Sequence, residues 1–367
     1  MARYVAIWTL VTLVLSVAST PLSGKDDAGS TRTISVSLYS ELERLARLVD
    51  ISYCIGNTGI SEPFDCLSRC DEFPHVKLVT TWDTGVLMSD SCGYIAVDEG
   101  QSSDDGEGGG GPPAILVAFR GTLSITNTVV DLGTVPQEYV PYPSPPGNGD
   151  GPECTNCTVH MGFMQSWDMA RRWVVPELIR LRTEHPDYPI HLAGHSLGGA
   201  VACLAALELR VSLGWDNVVV TTYGQPRVGN GGLARFIDRV FDLDHDARKP
   251  VDDDPPSHQY RRVTHINDPV PVLPPDEWSY QSHAGEIFIA KEALSPSETD
   301  VRVCSGDEDE RCSAGGSGFT RFTLWRLFTA HRDYFWRLGL CAPGGDSGWL
   351  PGVGGYHHDG DDGVDEL

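Results

Sequence analysis

One stretch restricts the fold more than any other: Gly194-His195-Ser196-Leu197-Gly198, a G-x-S-x-G pentapeptide with the apolar run Ile190 to Ala193 before it and an Ala-rich segment after it. A serine on so sharp a strand-to-helix turn sits in a strained conformation with its hydroxyl exposed above a sheet, and the flanking glycines let strand and helix close in. The periodicities around it agree. Leu38, Leu42, Leu45, Val49 and Tyr53 recur every three or four residues, which places them on one face of an amphipathic helix. Ile95 to Val97 and Ala114 to Phe119 are short β-rich runs, and the acidic, Gly-rich segment from Asp98 to Gly111 between them predicts a surface hairpin insertion. A helix from about Phe163 to Thr183, bent or restarted near Pro176, precedes a strand at Pro189 to Ala193. A helix from Leu197 to Leu213 and strands at Asn217 to Thr222 and Gln259 to His265 follow. Strands alternating with helices predict an α/β domain, a mostly parallel central sheet with helices on both faces.

Ser196 is the candidate nucleophile. A bare G-x-S-x-G also describes a Gly-rich turn without chemistry, and the strand and helix around this one favour the catalytic reading. The Leu197 amide opens the following helix, where partial positive charge favours an oxyanion. A serine hydroxyl needs a base, and on this architecture the acid and the histidine follow the serine in the chain. Asp268 lies in the loop at the C-terminal edge of the strand Gln259 to His265, where α/β sites assemble; its competing role is an Asx-turn before Pro269. Asp300 and Asp276 rank after it. Among the downstream histidines, His357 and His358 lie in a Gly/Asp tail, and His283 reads as a surface or structural residue. His331, followed by Tyr334, Phe335, Trp336 and Cys341, belongs to a packed segment and is the candidate base. His195 neighbours the serine but is turned away by the elbow. His191 and His195 have the spacing of a helical metal pair, yet the strand reading and Gly194 put them off a helix, so no zinc or other metal is expected.

Composition narrows the class. At 40% hydrophobic and 21% charged over 367 residues the chain is globular, and a net charge of −24 argues against nucleic acid as a partner. Arg3, the apolar run Tyr4 to Leu15 and the small residues Ser16 to Ser19 predict a signal peptide over 1–19; the run is too short for a transmembrane anchor. Ten cysteines suit the oxidising compartment that a signal peptide leads to. Residues 20–33 read as a flexible or processed leader, 34–345 as the α/β domain and 346–367 as an acidic Gly-rich tail. That tail ends Val364-Asp365-Glu366-Leu367, one residue from a lumenal retrieval signal, so retention in the endoplasmic reticulum is the minor alternative to secretion. Asn156-Cys157-Thr158 is a formal glycosylation sequon. Cys92 and Cys203, on a strand and a helix, read as buried free thiols.

The motifs Val117-Ala118-Phe119-Arg120-Gly121-Thr122, Gly194 to Ala200, Tyr223-Gly224-Gln225-Pro226-Arg227-Val228-Gly229-Asn230, Val263 to Pro271 with Leu273-Pro274-Pro275, and Ala330-His331 occur in this order. In them, from about Leu38 to Cys341, the chain resembles the fungal class 3 lipases, the filamentous-fungus triacylglycerol lipases and related feruloyl esterases of the α/β-hydrolase fold. The resemblance implies a Ser196, Asp268, His331 triad. It also implies an oxyanion hole from Thr122, through backbone and hydroxyl, and the Leu197 amide, with no cofactor. It implies a Cys54–Cys341 bridge and two short bridges, Cys66–Cys70 and Cys154–Cys157, with Cys304–Cys312 an added one. The lid departs from the family: in Ser124 to Leu132 the residues Ile125, Val129 and Leu132 share a helical face, weakened by β-branched neighbours. The implied activity is hydrolysis of a lipid or ester substrate, first of triacylglycerol at an oil–water interface. The polar Thr126, Asn127 and Thr128 keep a feruloyl or acetyl-xylan esterase as the alternative; a serine peptidase and a non-catalytic lipid-binding relative stand further off.

Overall fold

Ser35 starts the first helix. Its hydroxyl accepts a 3.1 Å hydrogen bond from the Leu38 amide, supplying an acceptor that the first turn of a helix lacks. Helix α1 (Val36–Ile51) then buries Leu38, Leu42, Leu45 and Val49 along one face. It gives way to a 3-10 turn at Ser52–Cys54, so Tyr53 sits on that turn and not on the helix. The computed structural model describes residues 33–85, 90–100, 111–122, 135–140, 153–243, 259–315 and 329–343. The expected signal peptide and leader, the lid residues Ile125, Val129 and Leu132, and the acidic tail with His357 and His358 lie outside the described residues.

After α1 the chain makes a hairpin of β1 (Ile60–Ser61) and β2 (Asp65–Cys66), then β3 (Val76–Asp83), β4 (Cys92–Asp98), β5 (Ala114–Phe119), β6 (Pro136–Glu138) and β7 (Thr158–His160). Helix α2 (Met161–Glu184), β8 (Ile190–His195), α3 (Leu197–Leu207), β9 (Val218–Tyr223), β10 (Gly229–Asn230) and α4 (Gly231–Phe241) follow. The last described elements are β11 (Tyr260–His265), β12 (Tyr280–Gln281), β13 (Glu286–Ile289), β14 (Val301–Val303), β15 (Asp333–Tyr334) and β16 (Trp336–Arg337). Eight strands form the main sheet in the order β14-β13-β11-β9-β8-β5-β4-β3. Neighbours from β5 to β13 pair in parallel, and β3, β4 and β14 add antiparallel edges. This is the expected α/β sheet, and its C-terminal strand ends share one edge. A second sheet, β12-β10-β7-β6, is antiparallel throughout; strands of two or three residues are too short to carry a readable alternation.

Alternate side chains of each central strand feed different cores, as the pleat requires. Ile115, Val117 and Phe119 of β5 pack with α2, α3 and α4, while Leu116 and Ala118 pack with α1. Tyr334, Phe335 and Leu338 join the α1 side, which brings the C-terminal segment against the sheet. All 11 residues of α3 are buried, the mark of a helix that is apolar all round because it lies in the core.

Three local expectations change. Helix α2 runs through Pro176 without restarting. Pro176 is exposed, as is Arg172 one turn earlier, so the carbonyl that the proline leaves without a donor faces the solvent side. The helix expected to Leu213 ends at Leu207 and continues as a π turn over Glu208–Ser212. Asp98, expected in the acidic insertion, is the last residue of β4, opposite Ala114, and pairs with Arg44 at 2.5 Å.

Candidate active site

Strand β8 delivers Ser196 to the sheet edge and α3 carries the chain away. Ser196 has φ 57° and ψ −127°, a backbone conformation that costs a non-glycine residue on the order of 1–3 kcal/mol. The surrounding packing holds it there. A Cβ at Gly194 would stand 2.3 Å from the Gly198 carbonyl oxygen, and one at Gly198 would stand 2.3 Å from the Phe119 oxygen. Both positions therefore need glycine. The Ser196 amide donates to the Tyr223 carbonyl at 2.9 Å, which fixes the elbow to the next strand.

Asp268 follows β11 through Asn267, itself at φ 68°. Both expected roles of Asp268 coexist. Its Oδ1 accepts from the Val270 amide at 2.9 Å, the Asx-turn, and its two oxygens accept from His331 Nδ1 at 3.0 and 2.8 Å. The Tyr334 hydroxyl donates to Oδ2 as well. Burial pushes the Asp268 carboxyl up, but the His331 charge, the His331 and Tyr334 hydrogen bonds and the Val270 amide together hold it below its ordinary value. Burial, reinforced by the Asp268 charge, drives Tyr334 well above the usual phenol range, so it stays a donor.

Because a carboxylate can only accept, Nδ1 of His331 carries a proton, and in the neutral ring Nε2 presents a lone pair. His331 is fully buried and Ser196 is 1% exposed. His331 Nε2 and Ser196 Oγ are both buried without a hydrogen-bond partner among the described residues. Two unpaired polar atoms of matching chemistry in one buried site are what a nucleophile and its base present before substrate tightens them. Gly224, at φ 58°, passes directly beside His331 and Asp268: a Cβ there would lie 2.8 Å from His331 Cε1 and 3.0 Å from Asp268 Oδ2. Its motif is visible in the sequence, but its contact with the imidazole is not.

The oxyanion candidates flank the serine. Leu197 is the first residue of α3, where amide groups have no helical acceptor. Thr122 follows Gly121, at which a Cβ would lie 3.0 Å from Ser196 Cβ. Asp300 is occupied elsewhere, closing a capping box with Ser297, and Asp276 lies exposed on a turn. His283 is buried, which removes the surface reading. Its Nε2 accepts from Gln225 Nε2 at 3.1 Å and its Nδ1 donates to the Ala284 carbonyl at 2.8 Å. His195 points to the Tyr53 hydroxyl at 2.5 Å and to the His331 carbonyl at 2.6 Å, contacts that its sequence position does not announce.

The structure joins Cys54 to Cys341, Cys66 to Cys70, Cys154 to Cys157 and Cys304 to Cys312. Cys92 and Cys203 are free and buried, and burial pushes both thiols up to about 12, which leaves them unreactive at neutral pH.

A sequence profile of the family described as Lipase (class 3) matches residues 116–278. A protein named secreted mono- and diacylglycerol lipase 2 from Gibberella zeae is 56% identical over 360 residues, covering 88% of this chain and 87% of its own. Lipase A of Sodiomyces alcalophilus is 52% identical over 384 residues, covering 93% and 91%. Among solved structures, the Lip2 lipase of Yarrowia lipolytica superposes with a TM-score of 0.70 at 32% identity, covering 85% of this chain and 98% of that one.

Proposed function

The chain belongs to the class 3 lipase family, and on that premise we propose that it is a secreted serine hydrolase of acylglycerols whose triad is Ser196, Asp268 and His331. One observation carries the assignment: His331 is anchored through Nδ1 to a buried carboxylate while its Nε2 and Ser196 Oγ are left buried and unpaired. The reaction follows from that arrangement. His331 Nε2 takes the Ser196 proton as Oγ attacks the ester carbonyl, and Asp268 offsets the charge that the imidazole acquires. The Leu197 amide and Thr122 hold the oxyanion. His331 returns the proton to the leaving glycerol oxygen, which leaves the acyl group on Ser196. Water, deprotonated by the same nitrogen, then attacks the acyl carbonyl, and His331 passes that proton to Ser196 Oγ as the acyl–oxygen bond breaks and the fatty acid leaves. Every step uses side chains and amides of this chain and an ester, so the reading calls on no cofactor.

Secretion is supported by the names of the relatives and by the N-terminal apolar run; among the described residues no helix is long and apolar enough to cross a membrane. The near-complete burial of Ser196 and His331 supports a closed resting site that admits substrate after a movement. The name of the Gibberella zeae relative favours a second substrate reading, partial glycerides over triacylglycerol. The test is the hydrolysis rate against tributyrin concentration through its solubility limit, beside dibutyrin and monobutyrin, for the mature protein and for Ser196→Ala. A rate that jumps when tributyrin forms an emulsion, and is lost in Ser196→Ala, is expected of a triacylglycerol lipase with a working lid. Turnover of the two partial glycerides alone moves the assignment to them. Methyl ferulate turnover without any glyceride turnover overturns it.

A further inference from the structure

We propose that His195 is a positioning residue for the general base: it grips the main chain of His331 while Asp268 grips the ring. The inference rests on the triad assignment above and goes beyond it. Its ground is a chain of buried hydrogen bonds in which every proton is determined. The His331 carbonyl oxygen, 2.6 Å from His195 Nε2, can only accept, so Nε2 carries the hydrogen. A neutral imidazole then leaves Nδ1 bare, and the Tyr53 hydroxyl, 2.5 Å away, donates to it. The Tyr53 oxygen in turn lies against Gly121, where a Cβ would stand 2.5 Å from it. Burial and the neighbouring His331 drive the His195 imidazole well below its ordinary value, and burial drives the Tyr53 phenol upward, so neither changes protonation in the working range. The order is Tyr53 O–H to His195, then His195 N–H to the His331 carbonyl.

The route matters because of what it connects. Gly121 precedes the oxyanion candidate Thr122 and abuts Ser196. Tyr53 precedes the bridged Cys54 and lies 3.4 Å from where a Cβ at Gly339 would stand. His331 lies near the start of the described segment 329–343, and its ring is tilted against that of His195, with centroids 4.6 Å apart. His195 therefore spans from the nucleophile's strand to the base's backbone, and it makes no hydrogen bond to Ser196 Oγ or to Nε2 of His331. Gripped at ring and carbonyl, the imidazole keeps both its position and its tilt towards Ser196. Gripped at the ring alone, it can swing about the Asp268 contact.

The experiment uses the full mature chain, p-nitrophenyl butyrate below its solubility limit, and active sites counted by stoichiometric reaction with diethyl p-nitrophenyl phosphate. Wild type and Ser196→Ala come first; ester turnover retained by Ser196→Ala defeats the triad assignment itself, and the positioning role with it. Given a dead Ser196→Ala, His195→Phe is expected to lower kcat per titrated site by about 100-fold with KM unchanged, the scale of a 1 Å misplacement. His195→Gln, which keeps an N–H for the carbonyl and an oxygen for Tyr53, is expected to restore most of that loss. Tyr53→Phe, which deletes one hydroxyl, is expected to fall between them, and it decides the matter if His195→Phe does not fold. Wild-type kcat per titrated site in His195→Phe or in Tyr53→Phe, or a Gln variant no better than Phe, overturns the proposal.

Discussion

Gly224 and the His331 imidazole are in such close contact that the hydrogen on the Gly224 Cα occupies space in which no carbon fits. A Cβ there would meet Cε1 at 2.8 Å and Nδ1 at 3.0 Å, and the backbone, at φ 58°, is in the left-handed region. Space and conformation both demand glycine. Backbone lies beneath the His331 imidazole, and it sets how low that ring can sit.

Gly224→Ala is accordingly expected to fold, destabilised by about 1–2 kcal/mol for the positive φ, and to lose about 100-fold in kcat as the imidazole is lifted. Thermal melting and steady-state kinetics measure the two effects separately. An active Gly224→Ala would mean that the imidazole is not confined from below.

Asp268→Asn removes the charge while conserving shape. The amide nitrogen can donate to His331 Nδ1 and select the wrong tautomer, so kcat is expected to fall by about 10⁴-fold with the melting temperature little changed. A loss below tenfold would show that Asp268 does not orient the base.

His160 links acidity to stability. It caps α2, its Nδ1 accepting the Gly162 amide at 3.0 Å, and burial pushes its imidazole down to about 4. The unfolded value is about 6.5, so between pH 6.5 and 4 the unfolded chain binds more protons and stability rises with pH. The contribution is complete above about pH 6.5 and is lost as pH falls through about 4. Burial drives His195 and His283 in the same direction. Melting temperatures recorded from pH 7 to 4 should therefore fall, and His160→Asn, a cap that does not titrate, should flatten the slope. An unaltered slope in that variant would remove His160 from the acid response.

The Cys54–Cys341 bridge closes a loop of sequence separation 287. In the chain-entropy view such a closure stabilises by about 5 kcal/mol. Replacing both cysteines by alanine is expected to lower the melting temperature by roughly 10 °C, measured by calorimetry on the double variant. A shift of under 2 °C would place the constraint elsewhere in the fold.

How much of this is legible before the structure depends on whether a residue's role is local. The elbow is local: strand, glycines and helix are contiguous, so Ser196 and the α/β sheet can be read directly. Asp268 is legible because a strand ends just before it, and His331 because packed aromatics follow it. Tyr334 is visible as a packed aromatic, but its bond to Asp268 spans 66 positions, and the Tyr53 bond to His195 spans 142. No periodicity encodes such pairs. His195 illustrates the limit well, since sequence places it beside the nucleophile facing away, and only the tertiary structure supplies the carbonyl it faces. His283 reads as a surface or structural residue because it lies in the loop between β12 and β13, where no periodicity shows that it is buried.

The long bridge has a consequence for biosynthesis. Cys54 enters an oxidising compartment early, and its partner Cys341 is made 287 positions later; His331 comes only shortly before it. While the chain is being translocated, Cys54 waits among nearer thiols, including Cys66 and Cys70, which pair with each other. Neither the constraint nor the proposed base exists until the segment from His331 to Cys341 has been made. A fragment that stops short of His331 thus lacks the proposed base, and on that reading the producing cell's own lipids are spared until this segment has joined the sheet.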